Sequence, residues 1–279
     1  MKNKILEESN PKVSIGLIVY NGAKYLRGAI DSFLAQTFDD YEIIISDNAS
    51  TDDTQIICEE YVALNHKIRY IRQVENQGPI FNFKYVLEQA RGDYFMWASH
   101  DDIFAPTYIS ECLNVFKNNS DCVSVCSNFN VIDLISNQIT EKNSPISRSS
   151  PSIFTRAIIS VIDMHPNMIY GLHKTEIIRK IKIDTFDWFD IFINIQLSYY
   201  GKVLIIPKYL YDVGIDGPRK PYSMTRKYFS FKVFLNNVAI FNKDKFSFKH
   251  RTVLYLYLCY ITMKNKKEFN ETIVNWQNP

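Results

Sequence analysis

Gly92-Asp-Tyr-Phe-Met-Trp-Ala-Ser-His-Asp-Asp102 is the stretch on which the reading of this chain turns. Gly92 to Ala98 is apolar enough to be a buried strand, and it runs into two adjacent carboxylates. Packing gives no reason for that ending. Like charges repel, and burying them is costly unless a cation or strong donors compensate. A divalent metal is the natural compensation: hard cations such as Mg²⁺ take one or two carboxylates and complete their shell with water and substrate phosphates. Alone, an Asp-Asp at a strand end is more often a surface turn, so the segments before it decide.

Those segments alternate. Val13 to Tyr20 is an apolar strand closed by the turn signal Asn21-Gly22. Tyr25 to Gln36 has helical apolar spacing, with Tyr25, Leu26, Ile30, Phe33 and Leu34 on one side. Tyr41 to Ser46 is a second strand. Asp47-Asn-Ala-Ser-Thr-Asp-Asp53 is a polar loop suited to capping a helix over Thr54 to Leu64. Lys67 to Gln73 is a third strand, Asn76-Gln-Gly-Pro79 a loop, and Ile80 to Ala90 a helix. The pattern β-α-β-α-β-α-β predicts an α/β fold, a mostly parallel sheet with helices on both faces. Ligands on such sheets bind beyond the carboxyl ends of the strands. Tyr20-Asn21, Asp47, Arg72 to Gly78 and Asp101-Asp102 all fall there, and that convergence predicts a site.

Later segments are less regular. Pro106 to Asn118 reads as a helix, Cys122 to Ile132 as a strand and Ser144 to Ser152 as a mobile loop. Helices are expected over Phe154 to Ile162 and Phe192 to Tyr200, and a strand over Val203 to Tyr211. Asp212 to Tyr222 reads as a flexible loop, and two basic, aromatic helices should follow it. A core domain over 1–222 and an extension over 223–279 are therefore expected.

Composition narrows the classes. The chain has 279 residues, 46% hydrophobic and 22% charged, with a net charge of +2, so no overall attraction to nucleic acid is implied. The basic residues between Arg219 and Lys267 are opposed there only by Asp244. With the Tyr and Phe among them they suit either an interfacial helix against an anionic leaflet or a solvated helical pair on the core. The five cysteines, Cys58, Cys112, Cys122, Cys126 and Cys259, sit in apolar or helical contexts and read as reduced. No signal peptide and no membrane-length apolar run is visible. A cytoplasmic protein, with peripheral contact at the inner face of the plasma membrane as an option, is expected. The Lys-, Ile- and Asn-rich composition suits a bacterial source.

Taken in order, Val13-Ser14, Tyr20-Asn21-Gly22, Ala35-Gln36-Thr37, Asp47-Asn-Ala-Ser-Thr-Asp-Asp-Thr54, Asn76-x-Gly78, Ala90-x-Gly92 and His100-Asp101-Asp102 resemble a family 2 glycosyltransferase with the GT-A fold, over roughly residues 12–215. The resemblance implies a nucleotide-sugar donor, usually UDP-linked, a glycan or lipid-linked acceptor, and Mg²⁺ or Mn²⁺. It implies that Val19, Tyr20 and Asn21 meet the nucleotide, with Tyr20 stacking on the base, Asp47 accepting a bond from it and Arg72 fixing it. Asn76, Gly78, Ser99 and His100 complete that set. Asp101 would be the main metal ligand, with Asp102 supporting it; Ser99 stands where the family commonly has its first Asp. The catalytic base is expected in Asp187-Trp188-Phe189-Asp190. Spacing to Gly201 favours Asp190, and Asp187 is the alternative. Tyr170, Gly171 and His173 would line the sugar pocket with Trp188, and Arg219 and Lys220 would close over the diphosphate. A nucleotidyltransferase would favour a Gly-rich, basic loop after the first strand, which Tyr20-Asn21-Gly22-Ala23 lacks. A non-catalytic nucleotide-sugar module is the remaining alternative.

Overall fold

A computed structural model of the chain describes residues 10–163, 165–183 and 189–216. The chain divides into two compact units, Met1–Pro218 and Arg219–Pro279. The second, with the expected basic helices, lies outside the described residues, as do Asp187, Trp188, Arg219 and Lys220.

The first unit begins with the expected alternation. Strand β1 (Val13–Val19), helix α1 (Ala23–Leu34), β2 (Tyr41–Asp47), α2 (Thr54–Leu64), β3 (Ile68–Arg72), α3 (Pro79–Gln89) and β4 (Tyr94–Ser99) follow one another. β1 lies between β2 and β4, parallel to both, with Leu17 beside Ile45 and Ala98. Helices cover both faces of these strands, which is why β1 and β2 read as nearly unbroken apolar runs.

The second half bends the sheet. β5 (Ile103–Phe104), α4 (Tyr108–Asn118), β6 (Cys122–Asp133), β7 (Gln138–Asn143), α5 (Ile153–Ile162), a 3₁₀ turn (Pro166–Tyr170), β8 (Leu172–Lys174), α6 (Thr175–Ile178), α7 (Phe189–Tyr200) and β9 (Lys202–Ile215) complete it. The strand order is β3-β2-β1-β4-β8-β6-β9-β5, with β7 on β6. β8 is antiparallel to both β4 and β6, so the sheet as a whole is mixed. One apolar layer packs Ile15, Leu17, Leu26, Ile30 and Phe33, and the other packs Phe95, Trp97, Val86, Ile193 and Leu197.

Two expectations change. Ser144 to Ser152 is a strap rather than a mobile loop. Arg148 N–H donates to Val203 O at 2.7 Å, and the buried Arg148 guanidinium grips Asp163 O at 2.6 Å and its carboxylate at 3.2 Å. Asp212 to Ile215 is strand, not loop. Asp212 pairs with Ile103 in β5 and accepts Asn130 Nδ2 at 2.7 Å, so partners distant in sequence override a Gly- and Asp-containing stretch that looks like a turn.

At the amino edge Glu42 is buried in β2 and matched. Ser14 Oγ donates to it at 2.8 Å, Arg69 at 2.9 Å and Arg91 at 2.9 Å. Burial pushes its carboxyl up, but the bonds from Arg91, Arg69 and Ser14 outweigh that and hold it below its usual range. A depressed carboxylate contributes stability that is complete above its unfolded value, about 4.3, and lost as pH falls through the folded value. Glu42→Gln is expected to cost about 2–3 kcal/mol at pH 7. Urea unfolding of both proteins at pH 7 and pH 3 should show the gap closing in acid.

Candidate functional site

The carboxyl ends of β1, β2 and β3 carry three loops that hold one another. Tyr20, 45% exposed, follows β1. Asn21 takes a left-handed φ of 51°, which Asn tolerates. Its N–H donates to Ser50 Oγ at 2.9 Å, and its Oδ1 accepts Thr51 N–H at 2.8 Å. The next two N–H groups, which open α1, go to Thr54 Oγ1 (from Gly22, 3.0 Å) and Asp52 Oδ2 (from Ala23, 3.1 Å). The start of α1 is therefore capped by the loop after β2 rather than by its own preceding residue. Val19 O accepts Asn48 N–H at 2.9 Å. Asn48 Nδ2 donates to Asn76 Oδ1 at 2.8 Å, and that oxygen also accepts Gly78 N–H, so the loop before α3 joins the same wall.

Asp47 lies beneath this wall with no exposed side-chain surface. Its Oδ1 accepts Ser50 N–H at 2.8 Å. Its Oδ2 accepts the Tyr70 hydroxyl at 2.8 Å and lies 3.6 Å from Arg72 Nε. Arg72, 37% exposed, also donates to Ser50 O at 2.8 Å. Burial first, then the bond to Asp47, pushes the Tyr70 phenol well up, so it stays a donor. Ala49 holds a left-handed φ of 60° next to Ser50, a conformation that costs an alanine about 1 kcal/mol or more.

The carboxylates after β4 part company. Asp101 is half-buried and accepts a short hydrogen bond from Ser99 Oγ. Asp102 turns inward: it is 2% exposed, its Oδ1 accepts Gly214 N–H at 3.0 Å, and its Oδ2 is buried without a partner. Burial, then Asp101, pushes the Asp102 carboxyl up. Through the Gly214 amide, Asp102 anchors β9 to the turn after β4. β9 crosses so closely that a Cβ on Gly214 would lie 2.2 Å from Asp101 O. The His100 ring lies on the start of α1, where a Cβ on Gly22 would be 2.6 Å from it. Among the described residues no group of three or more His, Cys, Asp or Glu could hold a metal ion by itself. Asp101 keeps a half-buried carboxylate at this edge.

The opposite wall comes from the second half. β8 runs antiparallel to β4, with Phe95 beside His173, so the residues before Leu172 lie toward the same edge as Ser99. Tyr170 ends the 3₁₀ turn there, with its carbonyl accepting Tyr108 OH at 3.2 Å. Gly171 is buried against Val125 O. His173 is a correction: it is fully buried, Nδ1 on Ser124 Oγ at 2.9 Å and Nε2 on Ile169 O at 2.8 Å. Burial pushes it down to about 4, so it is a neutral core imidazole with no nitrogen for a sugar or diphosphate. Asp190 is 8% exposed in the first turn of α7, where the helix dipole favours a carboxylate. α7 ends beside the start of β9, so this first turn faces the carboxyl edge. Asn194, one turn on, donates to His165 O at 3.1 Å and fixes the helix there.

Sequence reasoning missed Tyr70, Ser50 and Asp212, and the contact of Asp163 Oδ1 with His165 Nε2 at 3.1 Å. Tyr70 had a signal: at two residues from Arg72 on a strand, it shares that residue's face.

Residues 14–170 match the family described as glycosyl transferase family 2. The chain belongs to that family. An uncharacterized glycosyltransferase of Rickettsia felis is 35% identical over 177 residues, covering 61% of this chain and 27% of its own length. One of Rickettsia typhi is 32% identical over 219 residues, 73% of this chain and 65% of its own. The chain thus spans from about a quarter to about two thirds of these relatives. Among solved structures, S. aureus TarS 1-349 in complex with UDP-GlcNAc has a TM-score of 0.66 at 16% identity, covering 86% of this chain and 69% of that one. The mannosyltransferase PcManGT from Pyrobaculum calidifontis, in complex with GDP-Man and Mn²⁺, has a TM-score of 0.59 at 14% identity, covering 90% and 70%. Both share the fold, which is the GT-A fold of glycosyltransferases.

Gly214→Ala should displace Asp101 without altering any polar group of the site. The expected outcome is a loss of about 1–3 kcal/mol in stability, read by thermal unfolding.

Proposed function

We propose that this glycosyltransferase is an inverting enzyme that moves a sugar from a UDP-linked donor to a hydroxyl of a glycan or lipid-linked acceptor in surface-polysaccharide synthesis. The observation that carries the reading is the meeting, at one sheet edge, of an exposed aromatic, Tyr20, a buried acceptor, Asp47, with Arg72 beside it, and the half-buried Asp101. A flat ring suits a base face, and the Asp47–Arg72 pair suits a base edge that offers a donor beside a carbonyl. Asn21, Asn76 and Gly78 shape the loops around the nucleotide. TarS bound to UDP-GlcNAc supports the choice of donor class.

Asp101 would hold Mg²⁺ or Mn²⁺, the latter present with GDP-Man in the mannosyltransferase. The cation would neutralise charge on the leaving diphosphate. Asp190 takes the proton of the acceptor hydroxyl as its oxygen attacks the anomeric carbon and the nucleoside diphosphate leaves from the other face. Asp187 is the second candidate for that role. No helix among the described residues is long and apolar enough to cross a membrane. The basic, aromatic residues 223–279 suit peripheral contact with the inner face of the plasma membrane.

Titration calorimetry of UDP with Mn²⁺ and with chelator tests the donor site. Metal-dependent binding, weakened more than tenfold by Asp101→Ala, is expected; absence of UDP binding under both conditions would sink the reading. Asp190→Asn should lower release of UDP from the donor by about 10²–10⁴-fold while UDP affinity stays within twofold. Undiminished turnover would remove Asp190 as the base.

A further inference from the structure

We propose that a groove at the sheet edge opposite Asp101 is a second binding site, for a sugar that carries one carboxylate or phosphate. The groove has a volume of about 460 Å³ and is bordered by Arg156, Lys174, Lys202, Asp121, Glu176 and Tyr200. That volume falls within the range of small-molecule sites. Lys174 pairs with Tyr94, the first residue of β4, and Lys202 with Cys122, the first of β6. β4 runs on from Tyr94 to Ser99, so about 17 Å of strand lies between the two edges. The groove is thus separate from the edge that carries Tyr20, Asp47 and Asp101.

Arg156 is the group that calls for an anion. It is 5% exposed. Its Nε donates to Ser198 O at 2.8 Å, and its Nη1 donates to Ser150 O at 2.8 Å and Pro151 O at 3.0 Å. These carbonyls fix the plane of the guanidinium but supply no counterion. Its Nη2 has no hydrogen bond among the described residues. Burial works against the charge, and Asp121 offsets part of that. The Asp121 carboxylate is itself committed to Lys202 Nζ at 2.8 Å. A buried charge without a partner is costly, and a guanidinium held in one plane with an amino group to spare suits a carboxylate or phosphate oxygen. Lys174, whose Nζ donates to Ser120 O at 2.9 Å, adds a second cation at the rim.

The other lining groups narrow the ligand. Asp121 and Glu176 are exposed carboxylates. They repel a polyanion such as nucleic acid or polyphosphate, and as acceptors they suit hydroxyl donors. Tyr200, 37% exposed, offers an aromatic face to the C–H side of a sugar ring. Cations for one acidic group, acceptors for hydroxyls and a ring for an apolar face together fit an acidic sugar better than a bare anion.

The test is titration of glucuronate, a glucose monophosphate, glucose and inorganic phosphate into the full chain, followed by amide NMR shifts at Asp121, Glu176 and Gly201. Saturable shifts with the two acidic sugars, and weaker ones with glucose and with phosphate, are expected. Arg156→Met should weaken acidic-sugar binding about tenfold or more. Lys174→Gln should weaken it about two- to fivefold while UDP affinity stays within twofold. Should Arg156→Met fail to fold, Lys174→Gln and Lys202→Gln carry the test, because both change groups at the rim. No saturable shift with either acidic sugar overturns the site. Glucose binding as tightly as glucuronate overturns the anion class, and phosphate binding as tightly as the sugar phosphate overturns the sugar. Acidic-sugar binding unchanged in a folded Arg156→Met protein, or in both lysine variants, places the ligand elsewhere and overturns the assignment. A uronate tetrasaccharide separates the sources: tighter binding than glucuronate points to an acid carried on a glycan, weaker binding points to a free sugar acid, and either supports the site.

Discussion

Strand β1 is buried on both faces and bonded along both edges, and the rest of the site depends on it. Val13, Ile15 and Leu17 have no exposed surface, with β2 on one side and β4 on the other. Burying an aliphatic side chain of this kind is worth about 1.5–3 kcal/mol, so these strands cannot shift register without losing several such terms. Their ends are therefore fixed points. Tyr20, Asp47 and Ser99 follow from three neighbouring strands cut off at one level, and the distances among them are set by strand spacing rather than by the loops.

The loops then solve a second problem, the unpaired groups that strand and helix ends leave behind. The donors at the start of α1 find acceptors on Thr54 and Asp52, and Asn48 bridges Val19 and Asn76. This exchange makes three loops behave as one wall. It also leaves Asp47 ringed by donors from Ser50, Tyr70 and Arg72, so a charge that would be costly in the interior becomes a defined acceptor. The same accounting separates Asp101 from Asp102. One keeps a half-buried carboxylate next to Ser99, and the other spends an oxygen on the Gly214 amide.

The second half of the chain supplies the facing wall by a different route. β8 reverses direction beside β4, which brings the 3₁₀ turn back over the edge where Asp101 stands. Arg148 pins the strap to β9 and to Asp163, and Asn194 pins α7 to His165. The position of Asp190 is thus maintained by contacts between segments far apart in sequence. None of these contacts leaves a periodic trace, because each joins single groups from segments far apart in the chain.

How much was legible follows from the range of the forces involved. Hydrophobic period, turn residues and strand-end polar clusters are local, and they were enough for the first four strands, their three helices and the convergence of Tyr20, Asp47, Arg72 and Asp101 on one edge. The ordered run of motifs was enough for the family. Pairings that depend on distant partners were not legible: β9 running on through Asp212, the strap at Arg148, and the burial of His173, which looks like a pocket residue until Ser124 and Ile169 are seen to take its two nitrogens. Sequence alone determined which polar residues stand at which end of the first four strands. Tertiary structure decided which of them face the site, because a carboxylate or imidazole is committed by the donors and acceptors the fold brings to it, and those come from residues that its own neighbours in the chain do not specify.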